Sequence, residues 1–248
     1  MRLLVLPHSL EVGGSQRNAV DLARVFHEQG HEVAVAGPHG VLGGDVVASG
    51  MEYRPLWIGR LRPSPRRARS LRAFIETFRP DVVHAYEWPS ALEAYVALRS
   101  RPQVGLITTV MSMTVEPEVL RTIPLLVGTP ALHAEWEAKW HAPVGLCEPP
   151  VDTRIDRFSA QDRDAFRRRL RISADTMLAV MVTRVTRRMK FEGIAAAVEA
   201  MAQLDPARPI DLAIVGDGDA MPELRQMAAQ VNAAKGRTAV HVVGELVD

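Results

Sequence analysis

The sequence predicts an α/β protein made of two βα domains, each with a parallel sheet. Short apolar segments alternate with helical patterns along the 248 residues. The apolar segments are rich in Val, Ile and Leu and lack a polar alternation, which is typical of parallel strands buried on both faces. The alternation stops near residues 149–160 and then restarts. We therefore divide the chain into a first domain, 1–150, and a second domain, 151–248.

The elements of the first domain are predicted from local patterns. Residues 3–6 form an apolar run that is too short for a signal peptide or a membrane span, and it predicts the first strand. The helix that follows has apolar residues three and four apart and ends at Gly30. The same reasoning places further strands at 32–36, 53–58, 81–85, 104–110 and 125–129, and helices at 15–29, 66–78, 90–99 and 131–140.

The second domain begins with a polar linker and a basic helix within 156–171. Three strands then alternate with two helices, at 177–183, 191–204, 210–215, 222–234 and 238–243. Three strands alone leave the edge of the last strand and one face of the sheet uncovered. We therefore expect an incomplete second domain, either in a truncated chain or in a short natural chain that self-associates.

Composition and charge exclude several classes of protein. The chain has 30 Lys and Arg against 29 Asp and Glu, a net charge of +1, and 5% aromatic residues, which disfavours a nucleic-acid-binding surface. The single cysteine, Cys147, excludes an internal disulfide framework and suits a cytoplasmic location. No C-x-x-C or H-E-x-x-H motif occurs, so neither zinc binding nor thiol catalysis has support, and there is no G-x-G-x-x-G dinucleotide fingerprint or P-loop. We therefore expect no metal and no cofactor.

Several short motifs occur in the order that is found in one enzyme family. They are G-G-S-Q-R-N at 13–18, D-L-A at 21–23, G-H-E-V at 30–33, D-V-V-H-A at 81–85 with E-W at 87–88, P-P-V-D at 149–152, T-R at 183–184 with Lys190 and Gly193, I-V-G-D-G at 214–218 and V-V-G at 242–244. Together they resemble the family-4 retaining glycosyltransferases of the two-domain GT-B fold. The resemblance covers nearly the whole chain.

The resemblance implies an activity and a division of labour between the domains. Enzymes of this kind move a sugar, often a hexose, from a nucleotide diphosphate sugar to an acceptor and keep the anomeric configuration. The first Rossmann-like domain then lies on the acceptor side, and the second binds the nucleotide sugar. The family pattern needs no metal, because cationic side chains stabilise the leaving diphosphate.

The candidate donor-binding residues come from both domains. Gly13 and Gly14 lie between a strand and a helix start, where backbone N–H groups can approach a phosphate; the alternative is a plain tight turn. The resemblance assigns the catalytic role of stabilising the leaving diphosphate to Arg184 and Lys190, against the alternative of a solvated basic loop. Across an interdomain cleft, Gly13 and Gly14 would hold the same phosphates.

A third donor-side segment is Gly216-Asp217-Gly218, which ends a predicted strand and precedes a helix. In parallel sheets ligands bind beyond the carboxyl ends of strands, so this loop is a candidate nucleotide contact. The alternative is a simple βα turn in which Asp217 assists the helix start.

The candidate acceptor-side residues follow two strands of the first domain. His84 ends a strand and either contacts the acceptor or is a packed, hydrogen-bonded histidine. Glu87 and Trp88 follow it and are candidates to line the acceptor cleft. Met111 stands where the family pattern T-x-H has a histidine, and with Met113 it is a candidate for an apolar acceptor pocket.

An arginine-rich segment at 60–69 precedes a helix with an apolar stripe. It is a candidate contact for an anionic acceptor or for peripheral binding to an anionic membrane. The alternative is a solvated loop with the stripe packed on the sheet.

Two other functions compete with transfer. The chain could be a non-catalytic transferase-like subunit that binds a sugar nucleotide or a partner enzyme, because Met111 departs from the family pattern and no E-x7-E segment follows Gly244. It could also be a sugar-nucleotide epimerase, but the order of the motifs fits an epimerase less well than a glycosyltransferase.

Overall fold

Ten strands alternate with eight helices within residues 1–57, 64–112, 120–154, 156–188, 190–205 and 209–246, which the computed structural model describes. The chain divides into two compact units, Met1–Thr153 (unit 1) and Arg154–Asp248 (unit 2). Each unit has its own parallel sheet.

The sheet of unit 1 has seven strands in the order β3-β2-β1-β4-β5-β6-β7, and each neighbouring pair is parallel. The strands are β1 (Arg2–Leu6), β2 (Glu32–Gly37), β3 (Glu52–Pro55), β4 (Val82–Tyr86), β5 (Gly105–Val110), β6 (Leu125–Val127) and β7 (Val144–Leu146). The end of the predicted third strand, at residue 58, lies outside the described residues.

Helices connect these strands and cover both faces of the sheet. They are α1 (Gly14–Glu28), α2 (Leu42–Ala48), α3 (Pro65–Phe78), α4 (Trp88–Leu98) and α5 (Pro130–Glu137). One core cluster joins α3 and α4 to the face that carries Val83 and Ala85 of β4, and another joins α1 to the face that carries Tyr86. The prediction of a parallel sheet with two covered faces is therefore confirmed.

The sheet of unit 2 has three parallel strands in the order β10-β9-β8. The elements of unit 2 are α6 (Ala160–Leu170), β8 (Met177–Val182), α7 (Phe191–Gln203), β9 (Ile210–Val215), α8 (Met221–Lys235) and β10 (Val240–Gly244). The core cluster lies between the sheet and the two helices α7 and α8. On the edge strand β8, the apolar side chains Val180 and Val182 are exposed.

Candidate functional site

The candidate residues lie on or just after the carboxyl ends of strands in both units. In unit 1, strands β2 and β3 follow β1 on one side of the sheet, and β5, β6 and β7 follow β4 on the other side. The strand order therefore reverses between the adjacent strands β1 and β4, which is the topological switch point. Ligands of open parallel sheets bind beyond the carboxyl ends of strands at such a point. We call the carboxyl ends of β1, β4 and β5 the ligand edge of unit 1, and those of β8, β9 and β10 the ligand edge of unit 2.

Gly13 and Gly14 lie at the start of α1, as predicted from the sequence. The backbone of Gly13 is extended, and its carbonyl accepts the first helical hydrogen bond from the Arg17 amide at 2.8 Å. No side chain caps the helix, and its first turn holds no acidic residue. Gly14 has open space around its Cβ position. The amino end of α1 therefore presents backbone N–H groups and a positive partial charge. Among the described residues no side chain makes a capping hydrogen bond there, and the Gln16 side chain lies beside Gly13.

A side chain of α1 is turned back to brace the loop before it. Gln16 Nε2 donates to Ser9 Oγ at 3.4 Å and lies 3.0 Å from Nε2 of His8. Ser9 Oγ in turn accepts a hydrogen bond from the Glu11 amide at 3.2 Å. These contacts fix the path of the β1–α1 loop next to the helix start.

His84 is 6% exposed, and its Nε2 lies 2.6 Å from Oγ1 of Thr109 on β5. Its ring also packs on Tyr86, with 4.6 Å between the ring centroids. Burial lowers the pKa of His84 to about 4, so the ring is neutral at pH 7. The geometry is that of a packed, hydrogen-bonded histidine, and an acceptor contact of His84 stays a prediction.

Glu87 has a buried side chain and a backbone conformation that is unusual for a residue with a Cβ. Its φ is 65° and its ψ 155°, a region that is occupied almost only by glycine. Its Oε1 accepts a hydrogen bond from the Met111 amide at 3.1 Å, and its Oε2 accepts one from Ser112 Oγ at 2.8 Å. The Glu87 amide donates to the carbonyl of Thr109 at 2.9 Å. Glu87 thus joins the end of β4 to the end of β5.

The other two acceptor-side candidates have different surroundings. Trp88, at the start of α4, is half-buried and packs against the core on the α3 side of the sheet. The side chain of Met111 lies over Gly128, where an added Cβ would meet the Met111 Cε at 3.1 Å. Met113 lies outside the described residues. The ligand edge of unit 1 therefore brings Glu87 and Met111 into direct contact.

At the ligand edge of unit 2, two glycines permit a close approach of backbones. An added Cβ at Gly216 would lie 1.9 Å from the carbonyl oxygen of Thr183, and one at Gly218 would lie 2.3 Å from that of Val185. The Thr183 amide donates to Val215 O at 3.0 Å, and the Val185 amide donates to Asp217 O at 2.9 Å. The pairing of β8 with β9 thus continues past the ends of both strands.

This pairing positions the two predicted diphosphate-binding cations. Arg184 lies between the paired residues Thr183 and Val185, and its side chain is exposed. The segment then turns, because Thr186 O accepts hydrogen bonds from the amides of Lys190 and Phe191, both at 3.1 Å. Lys190 is exposed and is the N-cap residue of α7.

Arg184 and Lys190 differ from the neighbouring Arg187 in their contacts, and Arg188, which is also exposed, resembles them. Within the residues that the structure describes, neither side chain makes a hydrogen bond or an ion pair. By contrast, Arg187 pairs with Glu223, and its amide donates to Asp219 Oδ1 at 3.0 Å. Arg184 and Lys190 are therefore available to an anion at this edge.

The carboxylate of Asp217 is used locally. Its Oδ1 accepts a hydrogen bond from the amide of Gly218 at 2.7 Å. This contact shapes the loop between β9 and α8, and it does not cap the helix, because the N-cap residue of α8 is Ala220 and has no side-chain cap. A nucleotide contact of Gly216, Asp217 and Gly218 stays a prediction.

The expectation that the arginine-rich segment is a solvated or ligand-facing surface is wrong for Arg67. Its side chain is fully buried between α3 and α4, and its Nε lies 2.9 Å from Oε2 of Glu93, which is also buried. Glu93 Oε1 accepts a hydrogen bond from the Ser64 amide at 3.2 Å. An arginine can be buried when a carboxylate on a neighbouring helix compensates its charge, and the sequence pattern of α3 alone does not show this partner. Residues 60–63 of the segment lie outside the described residues.

Metal-ligand groups and membrane-spanning helices are absent from the part of the chain that the structure describes. No three His, Cys, Asp or Glu side chains in this part of the chain are grouped as metal ligands would be. None of the described helices is long and apolar enough to cross a membrane.

Sequence reasoning missed two residues of the ligand edge of unit 1. Thr109 holds His84, and Ser112 binds the Glu87 carboxylate. One sequence feature could have indicated them. The polar pair Thr108-Thr109 lies near the end of an otherwise apolar strand, and the neighbouring strand carries a histidine that needs a hydrogen-bond partner.

The fold is shared with solved structures of low sequence identity. A glycosyltransferase from Rickettsia africae matches with a TM-score of 0.79 and 15% identity, over 100% of this chain and 69% of that one. HepE from Anabaena, in complex with UDP and glucose, matches with a TM-score of 0.75 and 15% identity, over 100% and 70%. A UDP-GlcNAc 2-epimerase from Neisseria meningitidis, bound to UDP-GlcNAc, matches with a TM-score of 0.59 and 13% identity, over 100% and 73%.

These matches establish the GT-B type of fold. Since both transferases and an epimerase share it, the fold alone does not distinguish between the two activities.

No curated protein sequence matches the chain at a significant level. The family model described as Glycosyltransferase Family 4 matches residues 12–142. The match spans more than half of the chain and includes the G-G-S-Q-R-N and D-V-V-H-A motifs, so the chain belongs to glycosyltransferase family 4.

Proposed function

We propose that this glycosyltransferase uses a nucleoside diphosphate sugar as its donor and binds the diphosphate through Arg184 and Lys190. The observation that carries the proposal is the pair of exposed cations at the ligand edge of unit 2. Neither has a partner among the described residues, while the neighbouring Arg187 does. Side chains that the fold does not use are the ones free to bind a substrate.

The chemistry of the leaving group explains why two cations are needed. When the bond between the sugar and the diphosphate breaks, negative charge develops on the phosphate oxygens. A guanidinium binds two such oxygens at once, and an ammonium adds a compact point charge. Lys190 also lies at the amino end of the 13-residue helix α7, where the helix dipole favours an anion. Together these groups stabilise the developing charge without a metal ion.

The solved structures that share the fold give independent support. HepE was crystallised with UDP and glucose, and the Neisseria meningitidis epimerase with UDP-GlcNAc. A uridine diphosphate sugar is therefore a reasonable first donor to test, with a hexose as the transferred sugar.

We also propose that transfer retains the anomeric configuration and takes place in the cytoplasm. Retention does not need a protein carboxylate that activates the acceptor as a base. Two carboxylates at the ligand edges, those of Glu87 and Asp217, already accept hydrogen bonds from neighbouring groups, which agrees with this. Proton NMR of the first-formed product reports the configuration, and an inverted anomer would overturn this part of the proposal.

Titration calorimetry with UDP tests the donor site. We expect Arg184→Ala and Lys190→Ala each to weaken UDP binding by at least about tenfold, because each removes a charge-assisted contact. The matched control is Arg225→Ala, which removes another exposed arginine of unit 2, on α8. Unchanged affinity in both site variants, or an equal loss in the control, would contradict the assignment.

Product analysis tests the reaction class. Incubation with UDP-glucose and an acceptor panel should release UDP and yield a glycosylated acceptor. An isomerised nucleotide sugar would indicate an epimerase, and binding of UDP without turnover would indicate a non-catalytic subunit.

A further inference from the structure

The backbone conformation of Glu87 is strained, and a glycine at this position would relieve the strain. Its φ of 65° and ψ of 155° fall in a region where a Cβ is strained, whereas glycine adopts it freely. A strained residue persists where its surroundings determine its position and where its side chain does something that glycine cannot do.

The side chain of Glu87 is not used to cap its own helix. Glu87 is the N-cap residue of α4, yet it makes no side-chain capping bond. The Glu87 carbonyl accepts the first helical bond from the Ala91 amide at 3.1 Å, as in any helix. The carboxylate points instead to the next strand, where both oxygens are taken by Met111 and Ser112.

Three contacts therefore hold the end of β5 against the end of β4. One is the bond from the Glu87 amide to Thr109 O, and the other two are the side-chain bonds to the Met111 amide and to Ser112 Oγ. The last two lie beyond the end of the strand pairing, which stops at Tyr86 and Thr109. Without the carboxylate, the described contacts would leave the Met111 amide without a hydrogen-bond acceptor.

We propose that Glu87 is a positioning residue that fixes Met111 and Ser112 at the ligand edge of unit 1, and that acceptor use in transfer depends on this position. The proposal rests on the proposed function, which places donor diphosphate binding on Arg184 and Lys190 of unit 2. Glu87 acts through the segment that it holds, and the diphosphate-binding groups belong to the other unit.

Three substitutions distinguish a positioning role of Glu87 from a role in helix capping or in general stability. Glu87→Gly relieves the backbone strain but removes the carboxylate. Glu87→Gln keeps the side-chain length and an oxygen that can accept from the Met111 amide. Thr129→Ala is the matched control, because it removes a side-chain cap, to the Leu132 amide at 3.3 Å, from α5 of the same unit.

The first measurement is the exchange rate of the Met111 amide hydrogen in the full chain, followed by NMR. We expect at least about tenfold faster exchange in Glu87→Gly, because the amide loses a charged acceptor, and partial or full restoration in Glu87→Gln. Thr129→Ala should leave the Met111 rate unchanged. Equal Met111 exchange in wild type and Glu87→Gly would overturn the positioning role, whether or not the protein is active.

The second measurement is UDP release from UDP-glucose with octyl glucoside as the probe acceptor, beside calorimetry with UDP. We expect Glu87→Gly to raise the KM for octyl glucoside or to lower kcat by tenfold or more, with UDP affinity unchanged and with rescue in Glu87→Gln. Wild-type rates in Glu87→Gly would overturn the link to acceptor use. A wild-type protein that binds no UDP would instead contradict the proposed function, and the Met111 exchange rate would still decide the role of Glu87.

Discussion

At the ligand edge of unit 1, side-chain hydrogen bonds add to the backbone pairing of β4 with β5, whereas at that of unit 2 the backbone pairing of β8 with β9 itself continues past the strand ends. In unit 1, His84 bonds to Thr109, and Glu87 bonds to Met111 and Ser112. In unit 2, glycines bring the chain after β9 against the carbonyls of Thr183 and Val185, and no side chain is needed for this contact.

This difference determines which polar groups remain available to a ligand. At the edge of unit 1, the side chains of His84, Glu87 and Thr109 are buried and already make hydrogen bonds, whereas Ser112 is exposed. At the edge of unit 2, Arg184 lies between the paired residues Thr183 and Val185, and its exposed side chain makes no hydrogen bond or ion pair with the described residues. The comparison predicts that replacing buried polar residues of unit 1, or the close-packed glycines of unit 2, lowers stability strongly. Replacing the exposed cations of unit 2 should instead weaken ligand binding.

The largest expected effect is that of Gly216→Ala. Its φ is 138°, and a Cβ would lie 1.9 Å from the backbone oxygen of Thr183, so no rotamer change relieves the clash. We expect a loss of more than about 4 kcal/mol, enough to prevent cooperative folding of unit 2. Gly236→Ala is the control, because it also has a positive φ, of 62°, but open space around its Cβ position; it should cost about 1 kcal/mol.

Urea unfolding followed by circular dichroism measures both glycine variants. If Gly216→Ala and Gly236→Ala lose similar stability, the close backbone approach does not exist in solution. The contrast between the two ligand edges would then be wrong for unit 2.

The next largest effect is expected from a buried charge of unit 1. Arg67→Met removes the guanidinium that lies against Glu93 between α3 and α4, both side chains being fully buried. Removing one partner of such a pair costs roughly 3–5 kcal/mol, because the other charge stays in the protein interior. The double variant Arg67→Met/Glu93→Met should recover part of the loss. Urea denaturation of the single and double variants checks this, and a loss below about 1 kcal/mol in Arg67→Met would show that the pair is hydrated.

A third effect is pH-dependent and also belongs to unit 1. Burial lowers the pKa of His84 to about 4, below the value of 6.5 of an unfolded histidine. Between pH 6.5 and 4 the unfolded chain binds more protons at this site than the folded one, so stability falls as the pH falls. The His84 contribution to this loss is about 3 kcal/mol, and above pH 6.5 it vanishes.

The difference between wild type and His84→Gln isolates this contribution. Urea unfolding at several pH values should give a shallower decline for His84→Gln below pH 6.5, whereas His141→Gln, which changes an exposed histidine, should follow the wild type. Parallel curves for wild type and His84→Gln would mean that the ring is accessible to water.

Much of this architecture could be predicted from the sequence, because apolar strands and the glycine turns after them are local signals. Two short elements, α2 and β7, were missed; α2 contains two glycines and β7 has only three residues. Strand β8 shows a limit of another kind. Its sequence, M-L-A-V-M-V, is as apolar as that of a buried strand, yet Val182 is 77% exposed within the described residues. Self-association stays a prediction, which light scattering across a concentration series can test.

The candidate site was less predictable, because a side chain's partner comes from another strand. The sequence placed His84, Glu87 and Met111 at strand ends, but the bonds to Thr109 and Ser112 depend on the register of β4 against β5. The buried state of Arg67 likewise depends on Glu93, which lies on a different helix. Such partners become visible only when the elements are assembled.

The smallest expected effect on stability is that of Arg184→Ala. Its side chain is exposed and has no partner among the described residues, so its removal should change the free energy of unfolding by no more than about 0.5 kcal/mol. The same substitution should weaken UDP binding strongly, and this combination is what distinguishes a ligand-binding cation from a structural one such as Arg67. Urea unfolding and calorimetry on one preparation give both numbers. A stability loss above about 1 kcal/mol would show that Arg184 has a structural partner in solution, and the division of tasks between the two ligand edges would not hold.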